Sequence, residues 1–403
     1  MSQPALKERQ IPASAGLSRG LLLLMAFASG ATVANLYYNQ PLLADIGRSF
    51  GVGPDAAGLI STCTQIGYAI GMFLFVPLGD IRERRGLVSI LLALVSLSLV
   101  GVATAQNLTW IYFASLAVGL TTVVPQIMVP MAASLAEPEQ QGKAVGTVMS
   151  GLLLGILFTR TVSGLIGGTW GWRVMYWIAA GAMLALLALL RAKLPANRPQ
   201  ATMGYGTLLA SMGSLIRRYA VLRESALIGA SNFAAFSIFW TALSFYLEGE
   251  PYHYSSRVAG LFGLIGAAGA FGAPIVGRLA DRWKKETIVG ALVALNLLSF
   301  LLFGLLGVYL AALIAGVVLL DLGVQGTQVA NMTRIYALDP PSRSRLNTVQ
   351  MVSTFLGGAI GSSLGSYCWR HWGWSGVCWA GGGALLVGLL AWLAGRLRRQ
   401  ENS

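Results

Sequence analysis

Charge is scarce in this sequence. Only 11% of its 403 residues are Asp, Glu, Lys or Arg, and 55% are hydrophobic. A soluble protein has roughly 25% charged residues. So few charges cannot give the chain a surface that water solvates, which excludes an ordinary soluble protein. Lipid must therefore surround most of the outward-facing side chains.

Histidine and cysteine are also rare. The histidines, His253 and His371, fall outside the long apolar runs, and Cys63, Cys368 and Cys378 lack the spacing of metal ligands. The Gly-x-x-x-x-Gly-Lys phosphate loop of ATP-driven pumps is absent from the sequence. These absences argue against a membrane enzyme and a primary pump, and we expect neither a cofactor nor a metal.

Long apolar runs dominate what is present. A membrane core of about 30 Å is crossed by about 20 apolar residues in a helix, and the runs lack the alternation of barrel strands. The first run is longer than the core of a signal peptide, so we expect it to be retained. Twelve helical spans are predicted, near residues 20–42, 57–78, 87–106, 109–132, 144–168, 174–190, 225–247, 258–277, 288–307, 308–333, 346–369 and 375–395.

Positive charge is spread over short loops between the spans. The net charge is +13, but no single basic domain exists, which argues against nucleic-acid binding. If the N-terminus is inside, the inner segments hold 23 Lys and Arg residues and the outer segments hold four. Because cytoplasmic loops attract Lys and Arg, this bias predicts a multi-pass protein of the cell inner membrane with both termini in the cytoplasm.

The sequence repeats itself at an offset of 202 residues. Trp170-Gly171-Trp172 aligns with Trp372-Gly373-Trp374, and the Pro138 to Lys143 spacing aligns with Pro340 to Arg345. We therefore predict an all-α membrane protein built from two six-helix halves, residues 1–193 and 224–403. An even number of spans in each repeat makes the halves parallel. Residues 194–223 would form a cytoplasmic linker, either plain or with a helix on the membrane surface.

Two loops carry a family resemblance. Residues 77–86 read Pro-Leu-Gly-Asp-Ile-Arg-Glu-Arg-Arg-Gly, and residues 277–285 read Gly-Arg-Leu-Ala-Asp-Arg-Trp-Lys-Lys. Both resemble the Gly-x-Leu-Ala-Asp-Arg-x-Gly-Arg-Arg loop motif of the major facilitator superfamily, although Val76 replaces the first leading glycine. The span count, repeat and orientation extend this resemblance over the whole chain.

The resemblance implies a secondary transporter of a small molecule that works by alternating access. It assigns the first loop's acid to an inner gate near Arg345, and the second loop's acid to a contact near Lys143. The gating residues it implies are Asp80, Arg84, Arg85, Asp281 and Arg282. The alternative interpretation is that these loops only set the topology.

Three segments bear on the branch of the family to which the chain would belong. Residues 35–41 and 339–347 resemble those of bacterial sugar and drug exporters. Span five has the close glycines Gly151 and Gly155, but Ile156 replaces the proline of drug antiporters. Proton-coupled efflux is the leading expectation. A passive or symporting carrier, and a non-transporting receptor, scaffold or membrane enzyme, are the alternatives.

Only two charged residues lie deep inside spans. Asp321 is at the middle of span ten and starts a polar stripe with Gln325 and Gln328. Withdrawal from water favours the protonated carboxyl, so Asp321 is the candidate for proton coupling; a structural hydrogen bond is the alternative. Arg160, in span five, either forms a structural or gating pair or binds an anionic substrate group.

The family resemblance places the cavity between spans one, four, seven and ten. Amides, hydroxyls and aromatic rings there would suit a neutral or amphipathic solute, and plain helix packing is the alternative role for each. We also expect protons and membrane lipid as partners of the protein. We expect the protein to be a monomer. The candidate cavity residues are Asn35, Tyr38, Asn39, Thr122, Gln126, Asn232, Phe236, Trp240, Gln325 and Gln328.

Overall fold

The computed structural model describes residues 17–199, 204–270, 285–339 and 342–401. These residues form helices and connecting turns, without a strand in the described ranges. The helices of the first half are α1 (Arg19–Val33), α2 (Leu43–Phe50), α3 (Pro54–Leu78), α4 (Arg84–Ala103), α5 (Leu108–Thr121), α6 (Val124–Leu135), α7 (Gln141–Trp170) and α8 (Trp172–Lys193). They are followed by α9 (Tyr205–Arg218), α10 (Ala220–Glu248), α11 (Ser256–Ala270), α12 (Lys285–Leu306), α13 (Leu310–Tyr336) and α14 (Arg343–Glu401).

Ten helical segments in the described ranges are long and apolar enough to cross a membrane. The last of them contains two spans, which Gly373 separates, and α11 is a shorter apolar helix at the position of the remaining predicted span. The predicted all-α membrane fold with two six-helix halves is therefore confirmed. We call the face that carries the N-terminus the inner face, after its predicted orientation, and the opposite face the outer face.

The repeated Trp-Gly-Trp segments have the same backbone role in each half. Gly171 has φ +90° between α7 and α8, and Gly373 has φ +58° inside α14. Side chains other than glycine rarely adopt such angles. One glycine therefore makes the sharp turn between the fifth and sixth spans of each half. In each segment the first tryptophan is exposed and the second packs against aromatic side chains.

Two spans of the first half are broken. Span one changes from α1 to short 3₁₀ turns at 34–36 and 40–42 before α2 begins. Span four breaks between α5 and α6, where Pro125 stands in the first turn of α6 and cannot donate a backbone hydrogen bond. The break in span one brings Tyr37 and Gln40 to Arg160 at the interface with the second half.

The halves meet along two helix pairs. Helix α3 packs against the first part of α14, and α7 packs against α11. At the outer face Arg48 pairs with Glu248, and Arg370 pairs with Asp55. At the inner face Ser344 donates to Asp80 at 3.1 Å. Because the described contacts join the halves at both ends, this is a closed state.

Helix α9 lies at the inner face and touches both halves. The Tyr205 hydroxyl donates to the Leu74 carbonyl at 2.8 Å, and Arg345 donates to Ser211 at 3.0 Å. Its apolar side chains Leu208 and Met212 are buried. The segment between the halves therefore contains an amphipathic helix that is packed onto the protein as well as lying at the surface.

A buried ion network stabilises the inner end of the second half. Glu224 accepts from Arg334 at 2.9 Å and from Arg399 at 2.6 Å. The Glu224 side chain is 8% exposed and that of Arg334 2%. Removing one partner of such a pair leaves an uncompensated buried charge.

We expect Glu224→Ala to lower the free energy of unfolding by about 3 kcal/mol, because Arg334 then loses its buried carboxylate. Thermal unfolding in detergent measures the change. Glu286→Ala is the matched control, since Glu286 is half-exposed and 4.0 Å from the same arginine, and it should cost less than about 1 kcal/mol. Equal effects of the two variants would contradict this account.

Candidate transport site between the halves

Arg160 lies at the interface between the halves and is only 1% exposed. Its Nε atom donates to Gln40 Oε1 at 2.7 Å, while neither Nη atom has a hydrogen-bond partner among the residues that the structure describes. The guanidinium carbon is 3.8 Å from the Trp240 ring centre and 5.2 Å from those of Tyr37 and Phe236. Aromatic faces attract such a cation and hold it without neutralising it.

Asp321 approaches the same place from the second half. It is 1% exposed, and its two carboxyl oxygens have no hydrogen-bond partner within the described ranges. A methyl group at Gly266 of α11 would lie 3.0 Å from Asp321 Oδ2, and one at Gly263 would lie 2.8 Å from Arg160 Cβ. The two glycines are one helical turn apart, so the two intramembrane charges are neighbours across the interface.

No Arg160–Asp321 contact within 4.0 Å is present among the described ion pairs, yet each charge acts electrostatically on the other. The Trp240 indole also interacts with Asp321, although it does not meet the geometry of a hydrogen bond. The arrangement is a separated pair, with an arginine from one half, a carboxyl from the other and an aromatic wall beside them.

Other predicted cavity residues reach the interface. Phe236 and Trp240 form the aromatic wall at Arg160. Gln126 donates to the Tyr68 hydroxyl at 3.3 Å, and the Tyr68 ring packs 4.5 Å from that of Phe355 in the second half. Gln328 Nε2 lies 3.8 Å from Met351 Sδ, while Gln325 is half-buried on the same helix as Asp321.

The predicted polar residues of span one face their own half. Asn39 accepts from Ser61 at 2.9 Å and donates to Thr64 at 3.3 Å. Asn35 donates to the sulfur of Met183 at 3.5 Å, and Tyr38 packs against Tyr176. Their predicted common face assumed a continuous α-helix, whereas the 3₁₀ turns rotate Tyr37 and Gln40 toward the interface instead.

Two further predicted residues also make contacts inside their own halves. Thr122 donates to the Val118 carbonyl at 2.6 Å, and Asn232 accepts from Asn296 at 2.7 Å. These bonds satisfy side chains that the closed state buries, so helix packing accounts for them in this conformation.

Sequence reasoning overlooked a polar contact at the interface. Gln65 of α3 donates to Ser362 at 2.8 Å across the halves, and Thr241 also donates to Ser362 at 3.1 Å. Ser362 aligns with Arg160 at the repeat offset. The signal that could have found it was Gln65 itself, an amide in an otherwise apolar span.

The loop acid Asp80 links the halves at the inner face. It accepts from Ser344 at 3.1 Å, and its nearest Arg84 nitrogen is 3.7 Å away. Burial raises the pKa of Asp80 above its usual value, while Ser344 and the nearby Arg84 and Arg345 oppose that rise. The carboxyl thus spans the interface at the start of α14.

The two arginines beside Asp80 bind backbone carbonyls of the first half and of the linker. Arg84 donates to the Gly79 carbonyl at 2.9 Å and Arg85 to the Leu194 carbonyl at 3.2 Å. These contacts fix the loop that presents Asp80. The corresponding prediction for Asp281 and Arg282 lies outside the described residues.

We expect Asp80→Asn to slow turnover about tenfold while changing substrate affinity little, because the contact lies at the inner face and far from Arg160. Turnover and affinity measured separately in vesicles test this. Glu83→Gln is the matched control, since Glu83 caps α4 in the same loop and should leave turnover closer to wild type. A loss of binding in Asp80→Asn would place the residue in the substrate site instead.

The fold and this interface define a multi-pass membrane transporter, in which two helical halves enclose a small buried site. The Major Facilitator Superfamily profile matches residues 22–337. The uncharacterized transporter YgaY of Escherichia coli O157:H7 is 45% identical over 386 residues, covering 96% of this chain and 98% of that protein. The probable transporter SCO4007 of Streptomyces coelicolor is 36% identical, covering 94% and 88%.

The fold also matches a solved structure. A bacterial homolog of the human lysosomal transporter Spinster, in an inward-facing and occupied conformation, has a TM-score of 0.73 at 12% identity, covering 93% of this chain and 95% of that one. Such low identity shows the fold alone. The chain belongs to the Major Facilitator Superfamily and is a transporter of a small molecule rather than an enzyme, which confirms the resemblance seen in the sequence.

Proposed function

We propose that the protein is a proton-coupled secondary transporter that exports a small solute across the cell inner membrane in exchange for protons. The observation that carries this proposal is the position of Asp321: a buried carboxyl without a hydrogen-bond partner among the described residues, close to Arg160, the intramembrane arginine of the opposite half. A group that binds one proton at a moving interface is what coupling requires.

The coupling follows from the separation of the two charges. Arg160 belongs to the first half and Asp321 to the second, so any rocking of the halves changes their distance. When the charges approach, the guanidinium favours the ionised carboxylate. When they separate in a low-dielectric interior, the carboxylate is left uncompensated and binds a proton. Proton binding is thereby tied to the conformation of the transporter.

The substrate would bind beside this pair. The aromatic rings of Phe236 and Trp240 offer apolar faces, and Gln126 and Gln328 offer amides near the interface. A few polar groups on a mainly apolar wall suit a neutral or amphipathic molecule. The direction of transport is proposed from the exporter-like segments 35–41 and 339–347 of the sequence. Each chain contains both halves, so we propose that it works as a monomer with cytoplasmic termini.

Screening identifies the substrate and tests the proposal. Cells that lack or overproduce the protein are challenged with toxic compounds and metabolites. Each compound to which the cells change their tolerance is then assayed for uptake into inside-out vesicles. For a proton-exchanging exporter, an acidic lumen should drive accumulation of the compound, and a protonophore should abolish it. Accumulation driven by the opposite gradient would indicate symport, and accumulation indifferent to pH a passive carrier; either result would overturn the proposal.

A further inference from the structure

A very small cavity lies beside Arg160 and has donor groups on its walls. Its volume is about 10 Å³, and its polar lining consists of Arg160, Trp240, Ser244 and Gln40, with three apolar side chains completing the wall. A space of this size holds about one water molecule or one monatomic ion. Asp321 is not among the residues that line it.

The polar atoms at this cavity have the pattern of an anion site. Arg160 Nη1, Arg160 Nη2, Trp240 Nε1 and Ser244 Oγ are all buried and make no hydrogen bond of normal geometry in the described part of the chain, although Asp321 acts on Arg160 and Trp240 from nearby. The three residues are at most 4% exposed. Gln40 Oε1 already accepts from Arg160 Nε. The unsatisfied groups are therefore donors, apart from the serine hydroxyl, which can also accept.

A water molecule would leave the charge of this lining uncompensated. It could donate to Ser244 Oγ and to the second lone pair of Gln40 Oε1, but it would bring no negative charge to the guanidinium. An anion accepts from every donor at once and also compensates the buried guanidinium, whose charge is costly in a low-dielectric interior. The buried positive charge and the number of free donors therefore favour an anion over water.

We propose that this cavity binds a small monovalent anion of chloride size, held by Arg160, Trp240 and Ser244. Asp321 does not line this cavity, although it acts on both Arg160 and Trp240 from nearby. The site would give the transporter a resident counter-ion that stabilises the closed arrangement of the halves.

Thermal unfolding of the purified protein in detergent tests the site. Sodium chloride and sodium bromide should each raise the unfolding temperature by roughly 2–5 °C over sodium gluconate at equal ionic strength, and the rise should saturate. Gluconate is too large for the cavity and serves as the reference. Bromide should also give an anomalous diffraction peak within hydrogen-bond distance of Arg160.

Variants separate this site from general effects of salt. Arg160→Gln should abolish the halide shift, and Trp240→Phe, which keeps an aromatic ring but loses the N–H donor, should weaken halide affinity several-fold. Arg173→Gln is the matched control, because Arg173 also lies over a tryptophan, 4.2 Å from the Trp172 ring centre, and it should keep the full shift.

The outcomes decide the proposal. If Arg160→Gln fails to fold, Arg160→Lys and Trp240→Phe provide the test, and both should weaken the response. Equal unfolding temperatures in chloride and gluconate for the wild type would show that the cavity holds water or nothing, and would overturn the proposal. A halide shift that survives unchanged in both Trp240→Phe and the Arg160 variants would overturn it as well.

Discussion

Asp321→Asn is expected to abolish proton-driven accumulation of the substrate. Asparagine has nearly the same shape as aspartate but cannot ionise, so the site can neither bind nor release a proton. Accumulation in vesicles with an imposed pH gradient should fall at least about 100-fold, to the level of vesicles without the protein. Exchange of labelled for unlabelled substrate, which needs no net proton movement, should continue.

Two comparisons make this result interpretable. Asp321→Glu keeps an ionisable group and should retain pH-dependent transport at a reduced rate, since its extra methylene must fit beside Gly266. Glu139→Gln removes an exposed acid of a loop and should transport normally. Normal pH-dependent accumulation by Asp321→Asn would assign the proton to another group and end the proposed role of Asp321.

Gly164→Leu is expected to stop transport by preventing closure of the outer face. Helices α7 and α11 cross there so closely that a Cβ atom on Gly164 would lie 2.6 Å from the Ser256 carbonyl oxygen and 2.7 Å from Gly260 Cα. Both obstacles are backbone, so the helices must separate to admit a side chain. Leucine is a better helix former than glycine, so the helix itself should persist.

The measured effect should be a loss of turnover of about 100-fold with an altered resting state. Spin labels at Gln106 and Val308, in loops of the outer face of the two halves, should show a longer distance in Gly164→Leu than in the wild type. Gly181→Leu is the matched control, because nothing lies within 4 Å of a Cβ atom there. Wild-type turnover in Gly164→Leu would show that this crossing does not need to close.

Hydropathy and the internal repeat predicted most of the fold, for a simple physical reason. Lipid requires helices of apolar residues about 20 long, so each span leaves a strong signal in composition. The ends of the spans were less predictable, because polar residues extend helices beyond the membrane core. Helix α7 runs from Gln141 to Trp170, for example, whereas the apolar run indicated 144–168.

The site was predictable in part. The cost of an intramembrane charge singled out Arg160 and Asp321 without a structure. Their proximity was not predictable, because it depends on how α7, α11 and α13 pack together. The sequence also could not show which side chains of span one point toward the second half. The 3₁₀ turns around Pro41 bring Tyr37 and Gln40 to Arg160 and turn Asn39 away from it.

The most direct test of the central claim measures whether protonation of Asp321 moves the two halves. Spin labels at Gln106 and Val308, introduced after replacement of the three native cysteines, report the separation at the outer face without any substrate. As the pH is lowered, the distance distribution of the otherwise unaltered protein should shift, because a protonated Asp321 no longer attracts Arg160. In the Asp321→Asn background the distribution should not respond to pH. The same pH-dependent shift in both backgrounds would contradict the account.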